Sequence, residues 1–89
     1  MNIKTKNGLT YNFDEEMLGD YEIFENLVEI EKGNAKLLPE TIKALLGEEG
    51  YKQLKESCRN EKGRTPTEDV VAEFGEILTL AGKNGSKKK

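Results

Sequence analysis

The chain has 89 residues, of which 35% are hydrophobic and 35% charged, and it carries a formal net charge of −3. At that length it forms one domain that buries roughly 60–65% of the unfolded chain's surface, so nearly every apolar side chain must serve the core. A single cysteine, Cys58, and no histidine exclude an internal disulfide and any plausible zinc set, and remove the commonest general base. The composition reads as a non-enzymatic protein without a cofactor.

No apolar run approaches the ~18 residues of a membrane span, and Met1-Asn2-Ile3-Lys4 opens no signal-peptide pattern. The chain therefore reads as cytosolic. Charge is distributed unevenly. Residues 14–31 hold eight acids and no base, while Lys83, Lys87, Lys88 and Lys89 make the end basic. An acidic body of this kind disfavours nonspecific nucleic-acid binding, which depends on neutralising phosphates.

Asn7-Gly8, between Ile3-Lys4-Thr5 and Leu9-Thr10-Tyr11-Asn12-Phe13, predicts a β-hairpin. A two-residue loop would put Ile3 on the opposite face from Leu9, Tyr11 and Phe13. A three-residue loop, Lys6-Asn7-Gly8, pairs Thr5 with Leu9 and Ile3 with Tyr11, and gathers the apolar residues on one face. The second register is preferred, with Gly8 forming a glycine bulge. Such a hairpin is marginal in water and has to pack on helices.

Asp14 to Leu18 predicts a short turn, and Asp20 caps a helix reaching about Lys32. On that helix Tyr21, Ile23, Phe24, Leu27, Val28 and Ile30 cover about half the circumference at ~100° per residue, with Glu22, Glu25 and Glu29 opposite. Gly33-Asn34 ends it. Pro39 starts a short helix through Leu46, ended by Gly47, that buries Leu38, Ile42, Leu45 and Leu46. A further helix from about Glu48 to Asn60 carries the narrow stripe Tyr51, Leu54 and Cys58. Glu61-Lys62-Gly63 makes the next turn.

Thr65-Pro66-Thr67-Glu68 combines proline at the first helical position with the T-x-x-E spacing of a capping box. It opens a last helix from Pro66 to about Ala81, with Val70, Val71, Phe74, Ile77, Leu78 and Ala81 on one arc. Gly82 stops it, and Lys83 to Lys89 should be disordered. The predicted fold class is α+β, mostly α. It comprises an N-terminal hairpin followed by about four helices in a single domain, residues 1–82, and a disordered basic tail, residues 83–89.

Two charged stripes are candidate partner-binding surfaces. One is Glu22, Glu25 and Glu29, a docking face for a basic partner or else a solvated face. The other is Lys52, Lys55, Arg59 and Lys62, which share an arc of ~80° if the helix continues a turn past Asn60. The second stripe could bind nucleic acid, or meet the first inside the monomer or between copies. Leu80, on the acidic side of the last helix with Asp69, Glu73 and Glu76, could extend a partner-binding surface. Cys58 reads as a small core residue.

The order of segments is also familiar. K-T-K-N-G-L-T-Y-N-F-D-E-E precedes the acidic helix D-Y-E-I-F-E-N-L-V-E-I, then P-E-T-I-K-A-L-L-G-E-E, the R-N-E-K-G-R-T-P-T-E-D-V turn and a terminal E-F-G-E-I-L helix. Over roughly residues 3 to 84 this resembles the small tail assembly chaperones of long-tailed bacteriophages and prophages of Gram-positive bacteria. The L-L-G-E-E segment and the G-R-x-P-x-E turn at this spacing are its most specific parts. Gly50 and Gly75, inside predicted helices, are departures from helix-forming pattern.

The resemblance implies a non-enzymatic protein of the host cell cytoplasm, absent from the mature virion. It would bind the tape measure protein, help recruit tail tube protein around it, and tend to self-associate. No membrane is involved. No catalytic motif and no partner-binding motif carries over residue by residue, so the charged stripes rest on the residues alone. The alternative is a small cytoplasmic adaptor or regulator, binding nucleic acid through Lys52, Lys55, Arg59 and Lys62.

Overall fold

Ile3 faces Tyr11 across an antiparallel pair, and this register sets the first half of the core. In a computed structural model, which describes residues 1–86 and side chains as far as Gly82, strand β1 (Asn2–Lys4) pairs with β2 (Thr10–Asn12). The partners are Asn2 with Asn12, Ile3 with Tyr11 and Lys4 with Thr10. Thr5 N–H donates to the Leu9 carbonyl at 3.1 Å and Gly8 N–H to the Thr5 carbonyl at 2.9 Å. These bonds close the three-residue loop, with Gly8 at φ 87°, a region open to glycine at little cost. Ile3, Tyr11 and Phe13 are buried on the shared face.

A 3-10 turn, Glu15–Gly19, follows, with the Asp14 carboxylate accepting from Glu16 N–H. Helix α1 (Tyr21–Glu31) begins on Asp20, whose side chain accepts from Glu22 N–H at 2.8 Å. After a second 3-10 turn, Ala35–Leu37, helix α2 runs from Leu38 to Ser57 with Pro39 in its first turn. Helix α3 spans Thr67–Ser86. Its first bonds run from Asp69 and Val70 N–H to the Pro66 carbonyl, both 3.2 Å.

Two expectations need correction. Three α-helices are present among the described residues, not four, because the segments expected on either side of Gly47 form one helix with a kink. At the kink Gly47 has φ 78° and ψ 172°, a backbone region that is essentially glycine-only. The Leu45 carbonyl beside the kink accepts from Asp14 N–H at 2.8 Å, so the hairpin's exit segment docks where the helix is broken. The second correction is the end of α3. The helix passes through Gly82 to Ser86, because one glycine costs a helix only ~1 kcal/mol relative to alanine and does not stop it unaided. The disordered tail expected over residues 83–89 thus overlaps helical backbone as far as Ser86; the rest of it lies outside the described residues.

Helix α2 is the spine. Leu38, Ile42, Leu45, Leu46 and Leu54 are buried, as the apolar spacing predicted, and join Phe74, Ile77 and Ala81 of α3 and the hairpin face in one core. Helices α1 and α3 each pack against α2, while β1 packs on α3 and β2 on α2. Gln53 Nε2 ties α2 to β2 by donating to the Thr10 carbonyl at 2.8 Å.

Between hairpin and α3 lies a polar clamp. Glu73 Oε2 is 2.7 Å from Thr5 Oγ1, 3.1 Å from Asn7 Nδ2 and 3.2 Å from the Tyr11 hydroxyl. One turn on, Glu76 Oε2 accepts from Lys6 N–H at 2.8 Å. The Tyr11 phenol is pushed up to about 12 by burial first; the Glu73 charge raises it further, while a hydrogen bond with Ser57 opposes the shift. Folded and unfolded chains both carry the neutral phenol below its ordinary value of 10.0. Above it the unfolded chain loses the proton first, so stability falls as pH rises from ~10 to ~12, by ~2–3 kcal/mol in all. Denaturant midpoints at pH ~9 and ~11.5 for the wild type and Tyr11→Phe should show the wild type losing ~2 kcal/mol more. Equal losses would contradict this account of Tyr11.

Candidate partner-docking surface

Helix α1 carries more apolar surface than the fold uses. A core-facing helix needs an apolar stripe of ~100°, whereas the α1 arc spans about half the circumference. Ile23 is buried and Leu27 and Ile30 pack against the core, but Tyr21 is 69% exposed and Phe24 55%. Their rings lean together, with centroids 5.9 Å apart. On α3 the same overflow occurs: Phe74, Ile77 and Ala81 are buried, yet Val71 is 44% exposed.

The two surpluses face one groove of about 300 Å³. Its walls are Phe24, Leu27 and Val28 of α1 and Val71 and Leu78 of α3, and Leu38 of α2 contributes from below. A shallower depression along Tyr21, Phe24, Glu25, Val28 and Glu29 shares Phe24 and Val28 with it. The result is a continuous apolar strip bordered by carboxylates. Glu31 lines the groove.

Of the residues expected to bind a partner, Glu22 and Glu25 are exposed on α1, and the half-buried Glu29 approaches Lys32 at 3.6 Å. Glu25 and Glu29 line the strip, so these two acids and the aromatic overflow share a surface, with Glu22 exposed on the same helix. The basic stripe does not survive as expected. Helix α2 ends at Ser57, and Asn60 then organises a tight loop. Its Oδ1 accepts from Lys62 and Arg64 N–H, both at 3.0 Å, and its N–H donates to the Arg64 carbonyl at 2.7 Å.

Arg59 folds over that loop, donating to both Glu56 carboxylate oxygens at 3.0 and 3.1 Å and to the Gly63 carbonyl at 3.0 Å. Lys62 sits in the loop, out of helical phase with Lys52. Lys55 turns onto the Tyr51 ring, 4.4 Å from its centroid, with Lys43 at 5.2 Å. Among the described residues no ion pair joins the basic and acidic stripes. Leu80 is also corrected: it is half-buried and packs against the core rather than standing free.

Cys58, expected as a small core residue, is half-buried and lies outside the buried core; burial pushes its thiol pKa up. Among the described residues no group of three or more His, Cys, Asp or Glu side chains is placed to hold a metal ion, and no helix is long and apolar enough to cross a membrane. No family model, curated protein or solved structure matches the chain.

The α1 half of the groove was foreshadowed by an apolar arc too wide for one packing partner. Val71 gave no such signal, because it shares an arc with residues that are buried. The Glu73 clamp was missed, although Thr5 on the inward hairpin face, 4% exposed, is a hydroxyl that demands a partner.

Proposed function

We propose that this chain is a tail assembly chaperone of the kind found in long-tailed phages and prophages of Gram-positive bacteria. In the host cytoplasm it would hold the tape measure protein by covering apolar helical faces until tail tube subunits replace it. The observation that carries this reading is the groove between α1 and α3. A small domain short of apolar residues leaves Tyr21, Phe24 and Val71 substantially exposed, beside a groove lined mainly by apolar side chains. Exposed apolar surface of this kind marks an interaction site. The order of sequence segments supports the same reading.

Co-expression with the cognate tape measure protein should yield a copurifying complex that contains no DNA. Failure to recover a complex at low salt would overturn the proposal. Retention on DNA that weakens steeply with salt and with Lys55→Glu would instead support a nucleic-acid-binding regulator. The engagement of Arg59 with Glu56 and the Gly63 carbonyl weakens that second reading.

A further inference from the structure

We infer that the groove between α1 and α3 is built to take an amphipathic helix whose apolar stripe is flanked by lysine or arginine. This rests on the holding function proposed above and names the chemistry of the segment held. Three observations lead to it.

The first is the kind of backbone the groove can accept. Both walls are helices, whose interior peptide groups are already hydrogen-bonded within the helix, so they offer no unpaired edge to recruit a strand. An occupant has to satisfy its own backbone, which a helix does. Helix-in-groove recognition then works through apolar side chains at i, i+3, i+4 and i+7. The spacing of Phe24, Leu27 and Val28, and of Val71 and Leu78, presents matching ridges.

The second is charge. Residues 14–31 include no base. Glu25 and Glu29 follow Phe24 and Val28 directly in sequence and line the strip. Glu22 is exposed on the same helix, and Glu31 lines the groove itself. On the α3 side Glu68 is exposed, three residues before Val71. The neighbouring cation, Lys32, is 3.6 Å from Glu29 in a pair exposed on both sides, and such a pair is readily exchanged. An incoming helix with basic flanks finds carboxylates along the strip, and one with acidic flanks is repelled.

The third concerns what this chain could supply itself. Its own base-flanked stripe, Tyr51, Leu54 and Cys58 beside Lys52 and Lys55, is mostly occupied within the fold: Leu54 is fully buried, Tyr51 and Cys58 are half-buried, and Lys55 lies on the Tyr51 ring. Lys83 to Lys89 are basic but include no apolar residue. Neither the described helices of a second copy nor residues 83–89 offer the required helix, which points to a different protein.

Three labelled peptides of about 18 residues, long enough for the i to i+7 pattern, test this on the full chain. One has a leucine stripe with lysine flanks, one the same stripe with glutamate flanks, and one the lysines without the stripe. Fluorescence anisotropy should show the first binding at least about tenfold more tightly than either of the others, weakening as salt rises from about 50 to 500 mM. Backbone amide shifts should move around Phe24, Val28, Val71 and Leu78. Val71→Glu, at an exposed position, should abolish binding, and Glu25→Lys with Glu29→Lys should shift preference to the glutamate-flanked peptide.

Equal binding of the two striped peptides, full retention of the stripeless one, or shifts confined to the Tyr51–Lys55 face would overturn the inference. Its failure is separable from that of the chaperone reading. Peptide selectivity without a tape measure complex would defeat only the chaperone. A tape measure complex indifferent to Val71→Glu would defeat only the groove.

Discussion

Replacing Glu73 by alanine is expected to lower the unfolding free energy by about 2–3 kcal/mol, a large share of the total for a domain of this size. A single carboxylate oxygen lies within 3.2 Å of Thr5 Oγ1, Asn7 Nδ2 and the Tyr11 hydroxyl. Hydrogen bonds to an ionised group are each worth about 1.5–3 kcal/mol. The sum is reduced for three reasons: Glu73 is half-buried, the Thr5 hydroxyl can serve Asn7 Oδ1 at 2.6 Å instead, and the Tyr11 hydroxyl can turn to Ser57 at 3.4 Å. Alanine also gains slightly in helix propensity.

The loss should be local in character. Native-state hydrogen exchange should accelerate at the amides of Thr5 and Tyr11 before those of α1, because the clamp fastens the hairpin to α3 and α1 packs elsewhere. Glu73→Gln, which keeps an acceptor but not the charge, should fall between. A Glu73→Ala protein as stable as the wild type would show that the hairpin is held by apolar packing alone.

The second large effect concerns three glycines that substitution should separate in sign. At Gly50 an added Cβ would lie 2.7 Å from Leu46 Cβ, an atom fixed to the backbone one turn earlier. The kinked helix would have to open, at a cost of about 1–3 kcal/mol for overpacking. At Gly47 space is open, but φ 78° and ψ 172° oppose any side chain, and alanine there should cost a similar ~1–3 kcal/mol. Gly75 lies inside α3, and a methyl group added there would meet nothing within 4 Å. Gly75→Ala should therefore stabilise the protein by up to about 1 kcal/mol through helix propensity. Chemical denaturation of the three variants checks the pattern. A stabilising Gly50→Ala would mean that the turn from Leu46 to Gly50 relaxes freely.

These glycines also show how far local pattern reaches. Gly47 was legible as a helix stop because it ends an apolar-periodic run. The structure keeps its special backbone but lets the next helix follow without a gap, so the expected four helices count as three. Gly50 and Gly75 look alike in sequence, each an apparent weakness inside a helix. Only the kink distinguishes them, by folding Leu46 against one and leaving the other open.

The charged stripes divide similarly. Glu22, Glu25 and Glu29 remain together because Asp20 and Gly33 bound a regular helix around them. Lys52, Lys55, Arg59 and Lys62 were a stripe only if α2 ran past Asn60. The side-chain bonds of Asn60 end that possibility, and Arg59 is drawn back to Glu56.

By itself the sequence determined the hairpin register, the Asp20 cap, most of the residues that the helices bury and the absence of histidine from the chain's chemistry. Each follows from short-range periodicity, turn chemistry or composition, which act within a few residues. The tertiary structure alone decided how much of each apolar face is covered. Helices α1 and α3 each pack on α2 and bury only part of their apolar arcs, leaving Tyr21, Phe24 and Val71 exposed. That remainder of unburied surface, bordered by acids, is a property of how three helices meet, and no single helix encodes it.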